Sequence, residues 1–289
     1  MVVGFSAGGM VDIVTRLIGE KLSEQLGQSV VIENRGGAAG NIASKMVSTA
    51  EANGYTVLVT SSAIAVNAIA AAGAVDPRSE LATIAVIASA PTIFVAKRST
   101  PPVSLMEFVR SKKNGQLTFA TSGPGTVDHL TAEYLFRSVP GLNATHVPYA
   151  SGSEIINAVL GGHVDMAVTT PPAALSFIKD DGNLGVLAVT SPKRIAMLPD
   201  VPTAGEIGFP GLDSASWVAL FAPAGVPRTV IDTLNGAVVN ALEKRPVQER
   251  LAAIGYELHP GSPAEGSAFV KSEVAKWAKI IKAIGFTVN

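Results

Sequence analysis

The chain has 289 residues, 47% of them apolar and 16% charged, and its 22 Lys and Arg against 23 Asp and Glu leave a formal net charge of −1. That balance argues against a nucleic-acid partner, which normally shows as a basic patch, and no apolar run reaches the roughly 20 residues needed to span a bilayer. With no cysteine, disulfides, thiolate nucleophiles and Cys-ligated metals are excluded.

Met1-Val2-Val3-Gly4-Phe5 reads as the end of a strand that should begin several residues earlier, and an export signal with the first strand residues is expected to have been removed or to be missing. A turn of small residues, Ser6-Ala7-Gly8-Gly9, then opens a helix with Asp12 in its first turn. Val14, Leu17, Ile18, Leu22 and Leu26 recur at helical spacing, and Gly27 supplies the stop. Ser29–Glu33 and Tyr55–Thr60 read as buried strands. Between them lies a third glycine cluster, Glu33 to Asn41, where Arg35 is expected to hold the loop by a salt bridge. Ile93–Arg98, leading into Ser99-Thr100-Pro101-Pro102, reads as a crossing between lobes. Strand Leu117–Thr121, a helix over about 126–138, strand Ala144–Val147, a helix over about 151–160 and strand Val164–Thr169 follow. Trp217–Phe221, leading into Ala222-Pro223, reads as the return crossing. Alternation of this kind predicts an α/β protein with mostly parallel sheets flanked by helices. The expected lobes are 1–96 with 221–289, and an inserted 97–220, hinged near 95–100 and 217–223.

Leu117-Thr118-Phe119-Ala120-Thr121-Ser122-Gly123-Pro124-Gly125-Thr126-Val127-Asp128-His129 repeats the chemistry of the first loop: an apolar strand, a turn of small residues, a helix start with an early Asp. Glycines let a ligand approach the backbone, and free N–H groups at a helix start favour an anion. The pair of loops therefore predicts a carboxylate held between two lobes, with hydroxyls of Ser122 and Thr126 as added donors and His129 one helical turn beyond Gly125. Ser61 and Ser62, and likewise Thr169 and Thr170, end strands, and in parallel sheets ligands sit at the carboxyl ends of strands. Both pairs are expected at the cleft.

Enzymatic signals are poor. Neither loop continues as G-K-[ST], Gly123-Pro124-Gly125 lacks the third glycine of a dinucleotide fingerprint, and no G-x-S-x-G elbow occurs. His129, His146, His163 and His259 show no metal spacing. His146 reads as structural, and Asp165 fits a turn as well as a ligand contact. No catalytic residue, metal or cofactor is expected.

Phe5-x-Ala7-Gly8-Gly9-x-x-Asp12 resembles the opening signature of the Bug-type solute receptors of tripartite tricarboxylate transporters. Glu33-Asn34-Arg35-x-Gly37-Ala38-x-Gly40-Asn41, Gly54-Tyr55, Ser122-x-x-Gly125-Thr126-x-x-His129, Val147-Pro148-Tyr149, Gly161-Gly162-x-Val164-Asp165 and Leu198-Pro199-Asp200-Val201-Pro202-Thr203 match further blocks in order. The resemblance implies a two-lobed type II periplasmic binding protein fold with ligand in the interlobe cleft, hinge closure, and a periplasmic location. It implies a small carboxylate ligand, in first place a dicarboxylate, aromatic or aliphatic. Its other partners would be the large and small integral-membrane subunits of a permease. By the same resemblance, ligand contact falls on Phe5, Ala7 and Gly8 in one lobe, and on Ser122, Gly123, Gly125, Thr126 and His129 in the other. The chain departs from the pattern at Gly4, where Pro is usual, and at Val11, where Thr is frequent. Ala63 to Ala70 also lacks the polar side chains often seen there, so a more apolar cleft wall is expected if that segment faces the ligand. Two other readings stay open: a hydrolase-like enzyme using the loops as an oxyanion site with His129 as base, and an effector-binding module of a regulator.

Overall fold

The first stretch of chain alternates strand and helix as its apolar spacing dictates: β1 (Val2–Val3), α1 (Met10–Leu26), β2 (Glu33–Asn34), α2 (Asn41–Ser48), β3 (Leu58–Ser61), α3 (Ala63–Ala70) and β4 (Leu81–Pro91). Next come β5 (Ile93–Lys97), α4 (Leu105–Ser111), β6 (Gln116–Thr121), α5 (Val127–Arg137), β7 (Asn143–Pro148), α6 (Gly152–Leu160), β8 (Met166–Thr169), α7 (Pro171–Lys179) and β9 (Leu184–Val189). The chain ends with β10 (Ala215–Pro223), α8 (Arg228–Leu242), α9 (Arg245–Ala253), β11 (Glu257–Leu258) and α10 (Pro263–Ile284). This computed structural model describes residues 1–98, 104–112, 116–149, 151–179 and 182–286, and the expected crossing at Ser99–Pro102 lies outside them. Two units form: Met1–Ser89 with Trp217–Asn289, and Ala90–Ser216.

Unit 1 holds a six-stranded sheet of order β11-β4-β10-β3-β1-β2. β1 runs parallel to β2 and β3, while β10 is antiparallel to β3. Trp217 heads the part of β10 that pairs here, and the expected lobe border at 220/221 falls inside this strand. α1 buries Val14, Ile18 and Leu22 and ends at Gly27, whose φ of 62° suits a residue without Cβ. The expected strand Ser29–Glu33 shortens to Glu33–Asn34, because only Val2 and Val3 of β1 stand opposite to pair with it. α3 buries Ala63 to Asn67 and packs on α10. Ala63 to Val66 thus belong to the interior of unit 1, while Ala68 to Ala70 are half-buried.

Unit 2 holds a five-stranded sheet of order β7-β6-β8-β5-β9. β6 is parallel to β7 and β8, and β5 is antiparallel to β8 and β9. β5 is thus an internal strand of this sheet, which sets the border before it, at 89/90 instead of 96/97. Successive residues face opposite layers. Ile93 and Val95 join Ile155, Ile156 and Val159 on one side, whereas Phe94 and Ala96 join Leu105, Phe119 and Phe136 on the other. Among the described residues no helix is long and apolar enough to cross a membrane.

Candidate functional site

In unit 1 the first loop leaves β1 at Gly4. A Cβ there would stand 3.1 Å from Thr60 Oγ1 and 3.2 Å from Gly40 Cα, so a larger residue would need those neighbours to give by a few tenths of an ångström. Phe5 is half-buried, while Ser6, Ala7 and Gly8 are exposed. Asp12, 2% exposed, organises the turn. Its carboxylate accepts from the Gly8 N–H at 2.8 Å, Arg16 Nε at 2.9 Å and Asn34 Nδ2 at 2.9 Å. Burial works to raise its pKa, but the bonds from Arg16, Gly8 and Asn34 outweigh this and hold it at about 2. Asn34 also donates to the Phe5 carbonyl at 3.0 Å, pinning the loop to the end of β2. The Gly8 N–H is therefore occupied, which leaves Gly8 to act through its φ of +78°. The N–H groups of Phe5, Ser6 and Ala7 meet no acceptor among the described residues, and Gly9 gives α1 no side-chain cap. The exposed turn ahead of α1 thus presents donors next to the positive end of a helix.

The third glycine cluster lies against this loop. Gly36 packs on the backbone of Phe5 and Ser6, and Gly40 packs on the Phe5 ring. Ala38 and Ala39 adopt φ of 47° and 50°, a left-handed conformation costing roughly 1–2 kcal/mol per residue with a Cβ. Asn67 Nδ2 holds the turn by donating to the Ala39 carbonyl at 3.1 Å. Arg35 forms its salt bridge with Glu33, at the end of β2. Ser61 Oγ accepts from the Ala63 N–H at 3.3 Å, and the buried Ser62 donates its N–H to the Trp217 carbonyl at 2.9 Å. Phe5 to Gly8, the 34–40 turn and Ser61 thus gather at the carboxyl ends of β1, β2 and β3.

In unit 2 the second loop leaves β6 at an exposed Ser122. Gly123 and Gly125 take φ of +122° and +75°. Thr126 caps α5 by accepting from the His129 N–H at 3.3 Å, and its hydroxyl donates to the Gly123 carbonyl at 2.8 Å. His129 Nδ1 accepts from the Gly125 N–H at 3.2 Å. The buried His129 ring lies 4.1 Å, centroid to centroid, from His146, whose Nε2 bonds Thr121 Oγ1 at 2.8 Å. Burial holds both imidazoles at a pKa of about 4, helped at His146 by its histidine neighbour. His129 is thus a neutral ring bracing the loop, and an Nδ1 already engaged by Gly125 suits no general base. Thr169 and Thr170, both buried, end β8 beside β6. Asp165 takes the turn role, accepting from Lys112 Nζ at 2.6 Å, Thr118 N–H at 2.8 Å and Thr118 Oγ1 at 2.9 Å.

The two loops differ most at their aspartates. Asp128, 8% exposed, accepts from Thr92 Oγ1 at 3.2 Å. Burial lifts its pKa to about 7, against the weaker pull of the Thr92 and Ser122 hydroxyls. Whereas His146 holds the structural role expected of it, sequence reasoning missed Arg16, Asn34 and Thr92 as supports. Of these only Arg16 had a local signal, its i,i+4 spacing from Asp12. Two surface cavities, about 330 Å³ beside His259 and Phe269 and about 440 Å³ beside Arg110 and Phe209, include no residue of either loop.

Residues 14–286 match the sequence model of the tripartite tricarboxylate transporter family receptor. Three similar solved structures agree in fold along the whole chain. The periplasmic binding protein BugD shares 30% identity with a TM-score of 0.85, covering 99% of this chain and 96% of that one. Rpa4515 of Rhodopseudomonas palustris, solved with adipate, shares 32% identity with a TM-score of 0.87, covering 99% and 97%. MatC of the same organism, with bound malate, shares 31% with a TM-score of 0.83, covering 97% of each. The chain therefore belongs to the tripartite tricarboxylate transporter receptor family, whose members are solute receptors and not enzymes.

Proposed function

We propose that this receptor captures a small dicarboxylate in the periplasm, using the glycine-rich loops of both units, and delivers it to the large and small integral-membrane subunits of a tripartite tricarboxylate-type permease. The observation that carries this reading is the first loop: N–H groups of Phe5, Ser6 and Ala7 without an acceptor among the described residues, ahead of an uncapped helix start, with the nearby Asp12 neutralised by Arg16. A carboxylate placed there receives charge-assisted hydrogen bonds, each worth roughly 1.5–3 kcal/mol, and meets no unpaired negative charge. The second loop supplies the Ser122 hydroxyl and a turn of glycines open to close approach, while the N–H groups of Gly123 and Gly125 already donate to Thr121 and His129. Adipate and malate in two related structures favour an aliphatic diacid, and burial of Ala63 to Asn67 within unit 1 takes away the reason for a wide aromatic pocket.

The test is a thermal-shift panel of mono-, di- and tricarboxylates on protein unfolded and refolded to strip bound ligand. A ligand at about 100 times its dissociation constant adds roughly 2.7 kcal/mol, several degrees in melting temperature. A hit among aliphatic diacids is expected. A flat panel from folded protein overturns the reading.

A further inference from the structure

One of the two surface cavities, about 330 Å³, lies in unit 1 at the β11 edge of its sheet, whereas the first loop sits toward the β2 edge. Its walls come from Val86 of β4, Leu258 of β11, His259 and Gly261 just beyond β11, and Glu265 and Phe269 of α10. Two of these walls are rings. His259 and Phe269 stand 6.3 Å apart, centroid to centroid, with their planes 24° from parallel. Both rings are braced. His259 Nε2 bonds Ser89 Oγ at 2.7 Å, and the His259 backbone N–H donates to the Ile87 carbonyl at 3.1 Å. Phe269 makes an edge contact with the fully buried Trp217, at 5.7 Å and 75°. The cavity therefore keeps its shape without an occupant, which spares a ligand the cost of ordering it.

Its charge is one-sided. Glu265 precedes Phe269 by four residues and so shares its face of α10. Glu265 Oε2 accepts from the Ser262 N–H at 2.8 Å and from Ser262 Oγ at 2.7 Å, and these bonds hold the carboxyl below the usual carboxylate range. Oε1 has no partner among the described residues. No Lys or Arg lines the cavity. Burial holds His259 below the usual imidazole range, against the pull of Glu257, so its ring is uncharged at neutral pH. The start of α10 offers little to an anion, because Glu265 N–H is engaged by Ser262 Oγ at 3.3 Å and Pro263 has no N–H. A cation gains twice here, from the carboxylate and from the negative face of an aromatic ring. We propose that this cavity is a second solute site of the receptor and takes a small organic ammonium ion. The charge sits by Glu265 and Phe269, and the apolar part packs on Val86 and Leu258. The assignment does not depend on the dicarboxylate reading above.

The experiment is isothermal titration of the receptor with choline, phenethylamine and cadaverine, each with and without saturating adipate. At least one of the three is expected to bind, with the same Kd in both conditions. Glu265→Gln removes the charge and keeps an acceptor for Ser262, since Gln serves in a capping box as Glu does. Phe269→Leu keeps an apolar side chain and removes the ring face. Amine binding is expected to weaken at least tenfold in the first variant and severalfold in the second, with adipate binding unchanged in both. A flat amine panel, displacement of the amine by adipate, or amine binding unchanged in Glu265→Gln overturns the proposal. An amine that binds to protein on which adipate gives no heat upholds this site and overturns the dicarboxylate reading alone.

Discussion

The two glycine-rich loops share one sequence pattern and are electrostatic opposites. In unit 1 the early aspartate, Asp12, meets Arg16, Asn34 and the Gly8 N–H and stays ionised, with a pKa of about 2. In unit 2 its counterpart, Asp128, accepts from Thr92 in a buried setting, pairs with no cation among the described residues, and rises to about 7. Both loops place an acid in the first turn of a helix, where the helix dipole favours negative charge. The dipole is evidently the smaller influence, because the outcome follows the partners. The first loop is a fixed donor surface. The second is built over a buried acid whose charge changes near neutral pH.

The contrast breaks most visibly in Asp12→Ala. This removes the acceptor shared by Gly8, Arg16 and Asn34, and a loss of about 3 kcal/mol is expected in chemical denaturation. Because the Asp12 pKa is depressed, its contribution is present above about pH 4 and lost as pH falls toward 2. The opposite sign is expected at Asp128. Its raised pKa means the folded state holds a proton that the unfolded state releases between pH 4 and 7. Stability therefore falls as pH rises across that window. A pH series of unfolding free energies should show Asp128→Asn gaining on wild type toward pH 8, and parallel curves would remove the distinction between the loops.

Gly8→Val should weaken diacid binding at least tenfold, about 1.4 kcal/mol, by forcing a β-branched side chain into φ near +78°. Open space surrounds the added Cβ, so the fold should persist, and titration with adipate reads the effect. Thr126→Ala should cost about 1 kcal/mol of stability through loss of the α5 cap. Its hydroxyl is already spent on the Gly123 carbonyl, so any change in affinity comes through the loop. The smallest effect is expected at Thr60, whose buried hydroxyl has no partner among the described residues. Thr60→Val should be neutral or stabilising by up to about 1 kcal/mol in thermal unfolding.

Much of this protein is local in origin. Glycine, an early Asp and helical spacing of Val14, Ile18 and Leu22 specify the strand–turn–helix of each loop, because turn conformation and one buried helix face depend on near neighbours. The order of the matching blocks, from Phe5-x-Ala7-Gly8-Gly9 to Leu198-Pro199-Asp200, likewise made the family legible from sequence. What lay beyond the sequence depended on residues far apart along the chain. Asn34 reaches Phe5 and Asp12, Thr92 reaches Asp128, and His146 packs against His129. Burial also turned Ala63 to Asn67 inward against α10 and placed β5 inside the second sheet. A sequence states that an aspartate follows a glycine turn. Whether that aspartate carries a charge at neutral pH depends on desolvation and on partners brought up from other strands, and only the tertiary structure decides both.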